Sequence, residues 1–258
     1  MSKTNFTIIT TPKPLNVPVN RLAFENAIRS WVRIVPRPEI LVFGGDRDLV
    51  ESEGARWVDV PRTAYGRPYF DDFITQSEAL ATNDILMYCT DHLILTSDLS
   101  PVVKTVSDSF PGHFLIIGKR RQLYIKEPID FSISTWEDTL RSQALATKFI
   151  GSVAAKDYIV FRRPLGLAPP NFILGYPWYD TWFVWAALQA NYPVVDATHA
   201  IMVIHQNHGF PTGSVDAREL TPGGQHNRKI GKSLNLDGQG GMAHAPYVIT
   251  HDGLSRRA

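Results

Sequence analysis

From residue 6 to residue 89 the chain alternates short apolar runs with stretches whose apolar residues recur at helical spacing, and this alternation limits the fold more than any other feature. "FTIIT" (6–10) reads as a first strand, and "NRLAFENAIRSWVRI" (20–34) as a helix with Phe24, Ala27, Ile28 and Trp31 on one face behind an Asn20 cap. "EILVFGGD" (39–46) reads as a second strand ending in glycines and "WVDV" (57–60) as a third. "YFDDFITQSEALA" (69–81) has helical spacing, and "DILMYC" (84–89) is a fourth strand, with "LIL" (93–95) as its continuation. Such a β-α-β rhythm predicts an α/β fold with a mixed, mostly parallel central sheet flanked by helices. Beyond residue 110 the pattern is mixed: "HFLIIG", "YIVF" and "AIMVIH" read as strands, "WEDTLRSQALATKFI" and "WYDTWFVWAALQA" as helices, and the Gly-, His- and Asn-rich tail from Phe210 as irregular.

Length and composition narrow the function classes. A chain of 258 residues with 44% hydrophobic side chains can bury a large core. Its 26 basic and 25 acidic residues leave a charge of +1, so no global field draws it to nucleic acid or an anionic membrane. The single cysteine, Cys89, excludes an intramolecular disulfide and reads as a small buried side chain; the N-terminal stretch lacks the apolar core of a signal peptide. The longest apolar stretch, "WFVWAALQA" (182–190), falls short of the roughly 18 residues of a membrane span. A cytoplasmic protein without a transmembrane segment is expected.

In open α/β sheets ligands bind beyond the carboxyl ends of the strands. The polar stretches "TTPKP", "GGD", "PRTAYGRP" and "CTDH" follow the four predicted strands, so one crevice is expected there. Thr10 and Thr11 can hydrogen-bond a base or ribose, Gly44 and Gly45 permit close backbone approach, Asp46 can accept from ribose hydroxyls, and Arg62 and Arg67 can offset phosphate charge. Asp91 stands alone in the apolar run "LMYCTDHLIL", where a carboxylate is costly unless it is paired or holds a cation. A cation there could bridge the phosphates of a nucleotide diphosphate, with a second ligand from "IHQNH", where His205 and His208 end another apolar strand. Such a mixed Asp, His and phosphate set suits Mn²⁺ better than Ca²⁺. The triplet Lys119, Arg120 and Arg121 reads as a phosphate contact or a solvated charge run, and Asp196 as a turn anchor.

The ordered stretches "LVFGGD", "YGRPYFDDF", "ILMYCTDHLIL", "FLIIGKR", "AAKDYIVF", "PPNFILGYPWYDTW", "VVDAT" and "IHQNH" resemble nucleotide-sugar glycosyltransferases of the GT-A fold, similar to inverting family 2 enzymes. The resemblance implies a single domain over residues 1–258. Its nucleotide-binding half is 1–110 and its acceptor-binding and catalytic half 111–209; the irregular tail 210–258 reads either as a lid, with "GGQHNRKIGK" (223–232) folding over the nucleotide, or as disordered. It implies a donor site built from Thr10, Thr11, Pro12, Asp46, Arg62, Arg67, Thr90, Asp91 and Gly175. The family's D-x-D element aligns with Cys89-Thr90-Asp91, so cysteine replaces the first acid, and Mn²⁺ or Mg²⁺ would rest on Asp91 and His208, with His92 in reserve. Asp180, in "GYPWYDTW", takes the place of the base that accepts the proton of an acceptor hydroxyl in a one-step, inverting transfer. Tyr176, Trp178, Tyr179 and Trp182 beside it can stack on sugars or fill the core. The implied partners are a nucleotide-diphosphate sugar and a hydroxyl acceptor that is a glycan, lipid-linked or other. A metal-dependent phosphoesterase and a non-catalytic nucleotide- or sugar-binding domain are the rival classes.

Overall fold

The computed structural model describes residues 5–147, 149–150, 156–206 and 218–257. Four strands, β1 (Thr7–Thr10), β2 (Glu39–Phe43), β3 (Arg56–Val58) and β4 (Ile85–Cys89), pair in parallel in the order β3-β2-β1-β4. The links between them carry α1 (Pro18–Trp31), α2 (Arg47–Ser52) and α3 (Phe70–Leu80). Helix α1 begins earlier than the sequence pattern predicts. Pro18 occupies its first turn, where a fixed φ and a missing N–H cost nothing, and the Asn20 side chain donates to Pro14 O at 3.1 Å instead of capping the helix.

After β4 one interior strand and the edge strand run against the rest. β9 (Tyr158–Arg162) lies antiparallel between β4 and β6 (Leu115–Ile117). The order then runs through β10 (Val194–Asp196) and β12 (Tyr247–Thr250), both parallel to β6, to β13 (Gly253–Arg256), antiparallel at the edge. The result is a nine-stranded, mostly parallel sheet. Side chains alternate across it. Met87, Val160 and Ile116 join the core with Phe24, Trp31 and Phe114 on one face, while Leu86, Tyr88, Ile159 and Phe161 join Phe43, Phe70, Phe73 and Phe183 on the other. Helix α4 (Leu99–Ser109) packs on the first face and α6 (Tyr179–Gln189) on the second.

Residues 93–95 do not continue β4. They form β5 (Leu93–Leu95) in a second, four-stranded sheet with β11 (Val203–Gln206), β7 (Arg120–Leu123) and β8 (Phe149–Ile150), in the order β5-β11-β7-β8. The chain turns out of the large sheet at Thr90–His92, and α1 receives it: Trp31 Nε1 donates to Leu93 O at 2.8 Å, and Leu95 N donates to Ser30 Oγ at 3.1 Å. Helix α5 (Trp136–Leu145) is shorter than the helical pattern suggests, because residues 149–150 have gone to β8.

The tail expected to be irregular is largely regular in its described part, 218–257, with helix α7 (Pro222–Ser233) followed by β12 and β13. Its glycines misled the pattern because they serve close packing. A Cβ on Gly223 would stand 2.7 Å from the Tyr176 ring, and one on Gly231 2.4 Å from the Trp178 ring. Asp196 anchors its turn as expected, accepting from Thr198 N at 3.0 Å, and pairs with Arg257 at 2.8 Å.

Candidate active site

A cavity of about 840 Å³ opens at the carboxyl ends of β1 and β4. Because β9 runs against its neighbours, its beginning lies at the same edge, so Lys156 and Asp157 join the wall that β1 and β4 build with their ends. The start of α6 and the segment 236–244 close the far side.

Six of the residues predicted from sequence meet here: Thr11, Arg67, Thr90, Asp91, Gly175 and Asp180. Four lie elsewhere. Thr10 is buried and donates to Cys89 O at 2.7 Å, tying β1 to β4. Pro12 packs against Gly45, whose φ of +84° and lack of Cβ admit it. Asp46 caps α2 by accepting from Leu49 N at 3.1 Å and pairs with Arg21 at 3.1 Å. Arg62 covers Gly44 and donates to Gly66 O at 2.7 Å. His208 lies outside the described residues; His205 lines the cavity.

Asp91 is buried and fully engaged. Its Oδ2 accepts the Lys13 backbone N–H at 2.6 Å, and its Oδ1 lies 2.8 Å from His92 Nδ1 and 3.8 Å from Lys13 Nζ. Burial alone would raise this carboxyl, but the Lys13 ammonium, the His92 hydrogen bond and the field of Arg67 outweigh it and hold Asp91 well below the usual carboxylate range. Burial lowers Lys13 to about 8 against the pull of Asp91, and burial with the repulsion of Lys13 lowers His92 to about 4. The expected first acid of the metal motif is absent in substance as well as in name. Cys89 is buried in the core, and that burial raises its thiol well above its ordinary value.

Metal-ligating groups gather one step away. His92, Asp157 and His205 each present a ligand atom, all within 4.8 Å of one another. The topology explains the meeting: His205 pairs with Leu93 across β11 and β5, which places it beside His92, and the reversed β9 delivers Asp157. Two imidazoles and one carboxylate form a donor set suited to a transition metal such as Mn²⁺. Asp157 also pairs with Arg120.

Arg67 reaches back to the first loop, donating to Thr11 O at 3.4 Å and Pro12 O at 3.3 Å, and no carboxylate among the described residues forms an ion pair with it. The hydroxyls of Thr11 and Thr90 are buried without a hydrogen-bond partner among the described residues. A half-buried guanidinium balanced by backbone carbonyls, beside two unused hydroxyls, is a place for an anion.

Asp180 sits in the first turn of α6, where the helix dipole favours a carboxylate. Lys156 addresses it twice, by its backbone N–H at 3.3 Å and its Nζ at 3.9 Å, both toward Oδ2. Beneath it the buried hydroxyls of Tyr88 and Tyr179 lie 2.9 Å apart, and burial raises both phenols well above their ordinary value. Trp178, preceding the helix, adopts φ of +91°, a left-handed conformation that costs a non-glycine residue energy. Its ring is clamped by Gly231, and its indole N–H is buried without a hydrogen-bond partner among the described residues.

Sequence reasoning missed Lys13, Lys156, Asp157 and Asn227. Asn227 is fully buried on α7 and binds the loop before α6: its Oδ1 accepts from Ile173 N at 2.7 Å, and its Nδ2 donates to Ile173 O and Pro177 O, both at 2.9 Å. The signal for Lys156 and Asp157 was the pair "KD" before "YIVF", readable only if that strand is known to run backwards.

No protein-family model matches the chain, and no curated protein matches it. Among solved structures, a mycobacterial protein is similar at 15% identity and a TM-score of 0.49, over 92% of this chain and 76% of the other. A protein assigned to the nucleotide-diphospho-sugar transferases from Desulfovibrio desulfuricans G20 gives 10% identity and a TM-score of 0.45, over 92% and 98%. Glucosyl-3-phosphoglycerate synthase from Mycobacterium tuberculosis, in complex with Mg²⁺ and uridine diphosphate, gives 16% identity and a TM-score of 0.46, over 92% and 80%. At these values the fold rests on the strand order above, and the likenesses add no weight to it. No helix among the described residues is long and apolar enough to cross a membrane.

Proposed function

We propose that the protein is a glycosyltransferase that moves a sugar from a nucleotide-diphosphate donor to an acceptor hydroxyl, in one inverting step. One observation carries the reading: a single cavity joins an anion-binding corner, formed by Arg67 with the unused hydroxyls of Thr11 and Thr90, to a carboxylate, Asp180, at the start of a helix. The diphosphate binds at the first and the acceptor is deprotonated at the second. Asp180 takes the acceptor proton as that oxygen bonds to the anomeric carbon, and the bond from that carbon to the diphosphate oxygen breaks, its electron pair leaving with the nucleotide. Arg67, together with Lys13 lining the same corner, meets the charge that develops there.

The donor set of His92, Asp157 and His205 fits Mn²⁺ better than Mg²⁺, and these residues would hold the ion; bound there, it would supply Lewis-acid stabilisation of the departing diphosphate. The metal site inferred from the resemblance shifts accordingly, with Asp91 fixing Lys13 and His92 rather than coordinating. The acceptor lies against Trp178 and the segment 236–244, where an aromatic face and the side chains of Asp237, Gln239 and His244 offer a surface for a glycan or other hydroxyl-bearing acceptor. The reading keeps one domain over the chain and a cytoplasmic setting.

Thermal unfolding with UDP-glucose, GDP-mannose and dTDP-glucose, with and without Mn²⁺, tests the donor. Release of nucleoside diphosphate from the stabilising donor then tests the chemistry. Asp180→Asn keeps the side chain's size and removes its basicity, so donor binding persists while release falls by about 10²–10⁴-fold. A parent rate in that variant, or a product that keeps the donor's anomeric configuration, refutes the mechanism. The absence of stabilisation by every donor refutes the reading. Phosphomonoester hydrolysis independent of Asp180 points to a phosphoesterase.

A further inference from the structure

Lys156 is an unusual neighbour for a catalytic carboxylate. Its side chain is entirely buried, its Nζ lies 3.9 Å from Asp180 Oδ2, and its own backbone N–H donates to the same oxygen at 3.3 Å. Residues 156 and 180 reach this contact from separate elements, the approach to β9 and the first turn of α6. Burying an ammonium is costly, and burial lowers Lys156 against the pull of Asp180. A structural ion pair at a helix start needs no such arrangement, since an exposed lysine would serve the dipole-favoured carboxylate at little cost. No hydrogen bond of Asp180 Oδ1 is found among the described residues, although Asp180 lines the cavity.

Resting on the transferase reading, we propose that Lys156 is the positioning residue for Asp180: by engaging Oδ2 through both its backbone N–H and its ammonium, it fixes the carboxylate rotamer and leaves Oδ1 as the atom that takes the acceptor proton. Although Lys156 belongs to the cavity wall, its assigned role is exerted through Asp180. A carboxylate on a free rotor would present either oxygen over a range of angles, and misplacing a catalytic group by about 1 Å costs on the order of 10²-fold. The field of Arg120 also reaches Asp180, but Arg120 pairs with Asp157 and does not substitute for this hold; Arg218 lines the same cavity.

The test uses the full chain and the donor that gives the largest thermal stabilisation among UDP-glucose, GDP-mannose and dTDP-glucose. Lys156→Met removes the ammonium, keeps the backbone N–H and leaves no buried cation behind. Turnover should fall about 10- to 100-fold with the donor KM within about twofold of the parent, a split that a general loss of structure does not produce. In an Asp180→Asn background the same substitution should have no further effect, because a residue that acts only through Asp180 loses its influence when the base is gone. If Lys156→Met does not fold, Lys156→Gln carries the same expectations with a polar side chain in the enclosed site. Unchanged turnover in the folded variant, a loss confined to donor KM, or full additivity with Asp180→Asn overturns the assignment. When Asp180→Asn itself abolishes transfer, those results overturn the role of Lys156 and leave the transferase reading standing; a parent rate in Asp180→Asn overturns both.

Discussion

Asn227→Ala should loosen the cavity wall from a distance. The residue is fully buried on α7 and makes no contact with the anion-binding corner, yet it holds the loop that carries Gly175 and Trp178. Truncation removes the acceptor for Ile173 N–H and a donor to Pro177 O, and it opens a small void among side chains that already fit closely. Ile173 O retains a long bond from Tyr176 N at 3.5 Å, so it is not counted. Two backbone groups left without partners cost about 1–3 kcal/mol each, with partial relief from water entering the cavity, so a net loss of about 3 kcal/mol is expected. For a domain of this size that corresponds to a fall in Tm of about 6–12 °C. Calorimetric unfolding of Asn227→Ala beside Gln225→Ala, an exposed position on the same helix, isolates the effect. The control should move by less than about 1 °C. A shift in Asn227→Ala no larger than the control's refutes the idea that this side chain holds the loop.

Arg67→Met should weaken binding of a nucleoside diphosphate such as UDP by about 10- to 100-fold, the worth of a charge-assisted hydrogen bond, with little change in Tm; titration calorimetry showing parent affinity contradicts the anion-binding corner. Removing one imidazole from the proposed metal set, His205→Ala, should weaken Mn²⁺ binding by at least about tenfold, measured with the metal alone, whereas unchanged affinity places the ion elsewhere. The pH dependence of stability carries a third signature. Burial holds folded His92 near 4 while the unfolded chain titrates at 6.5, so between those values the unfolded state binds the extra proton and stability falls as the pH drops. Urea unfolding of His92→Gln at pH 7, 5 and 4 should show a shallower fall than the parent, and parallel curves exclude His92 as a source of the acid sensitivity.

The parallel half of the sheet is legible in the sequence because its code is local. Period-2 alternation in "ILMYC" assigns Met87 to one face and Tyr88 to the other, and "GG" after "EILVF" marks where β2 must stop. Thr11, Arg67 and Asp91 follow from the rule that ligands meet strand ends, whereas Asp180 came only from the resemblance. What stays hidden depends on direction and partnership. A short apolar run such as "YIVF" carries no mark of strand direction, so nothing local reveals that β9 is reversed and that Lys156 and Asp157 stand at the cavity edge. His92 and His205 meet only through the register of β5 and β11, in which Leu93 pairs with His205 112 residues further along the chain. Helix α7, with three glycines, looks like a loop because the intrinsic penalty of about 1 kcal/mol per glycine is visible in sequence, and the aromatic rings against Gly223 and Gly231 and the backbone against Gly224 are not.

The reversed strand also affects how this architecture can be varied. The chain between β7 and β9 leaves the second sheet, passes through α5 and β8, and returns to the cavity at Lys156. Its length can change without moving a strand of the large sheet, since β9 is held on one side by the five residues of β4 and on the other by the three of β6, which are fixed independently. None of the described residues 124–150 lines the cavity, so grafting in this excursion should leave the cavity wall in place. Lys156 and Asp157 stand where this excursion rejoins the large sheet, so their place in the wall is set by β9 and not by the length of the chain before them.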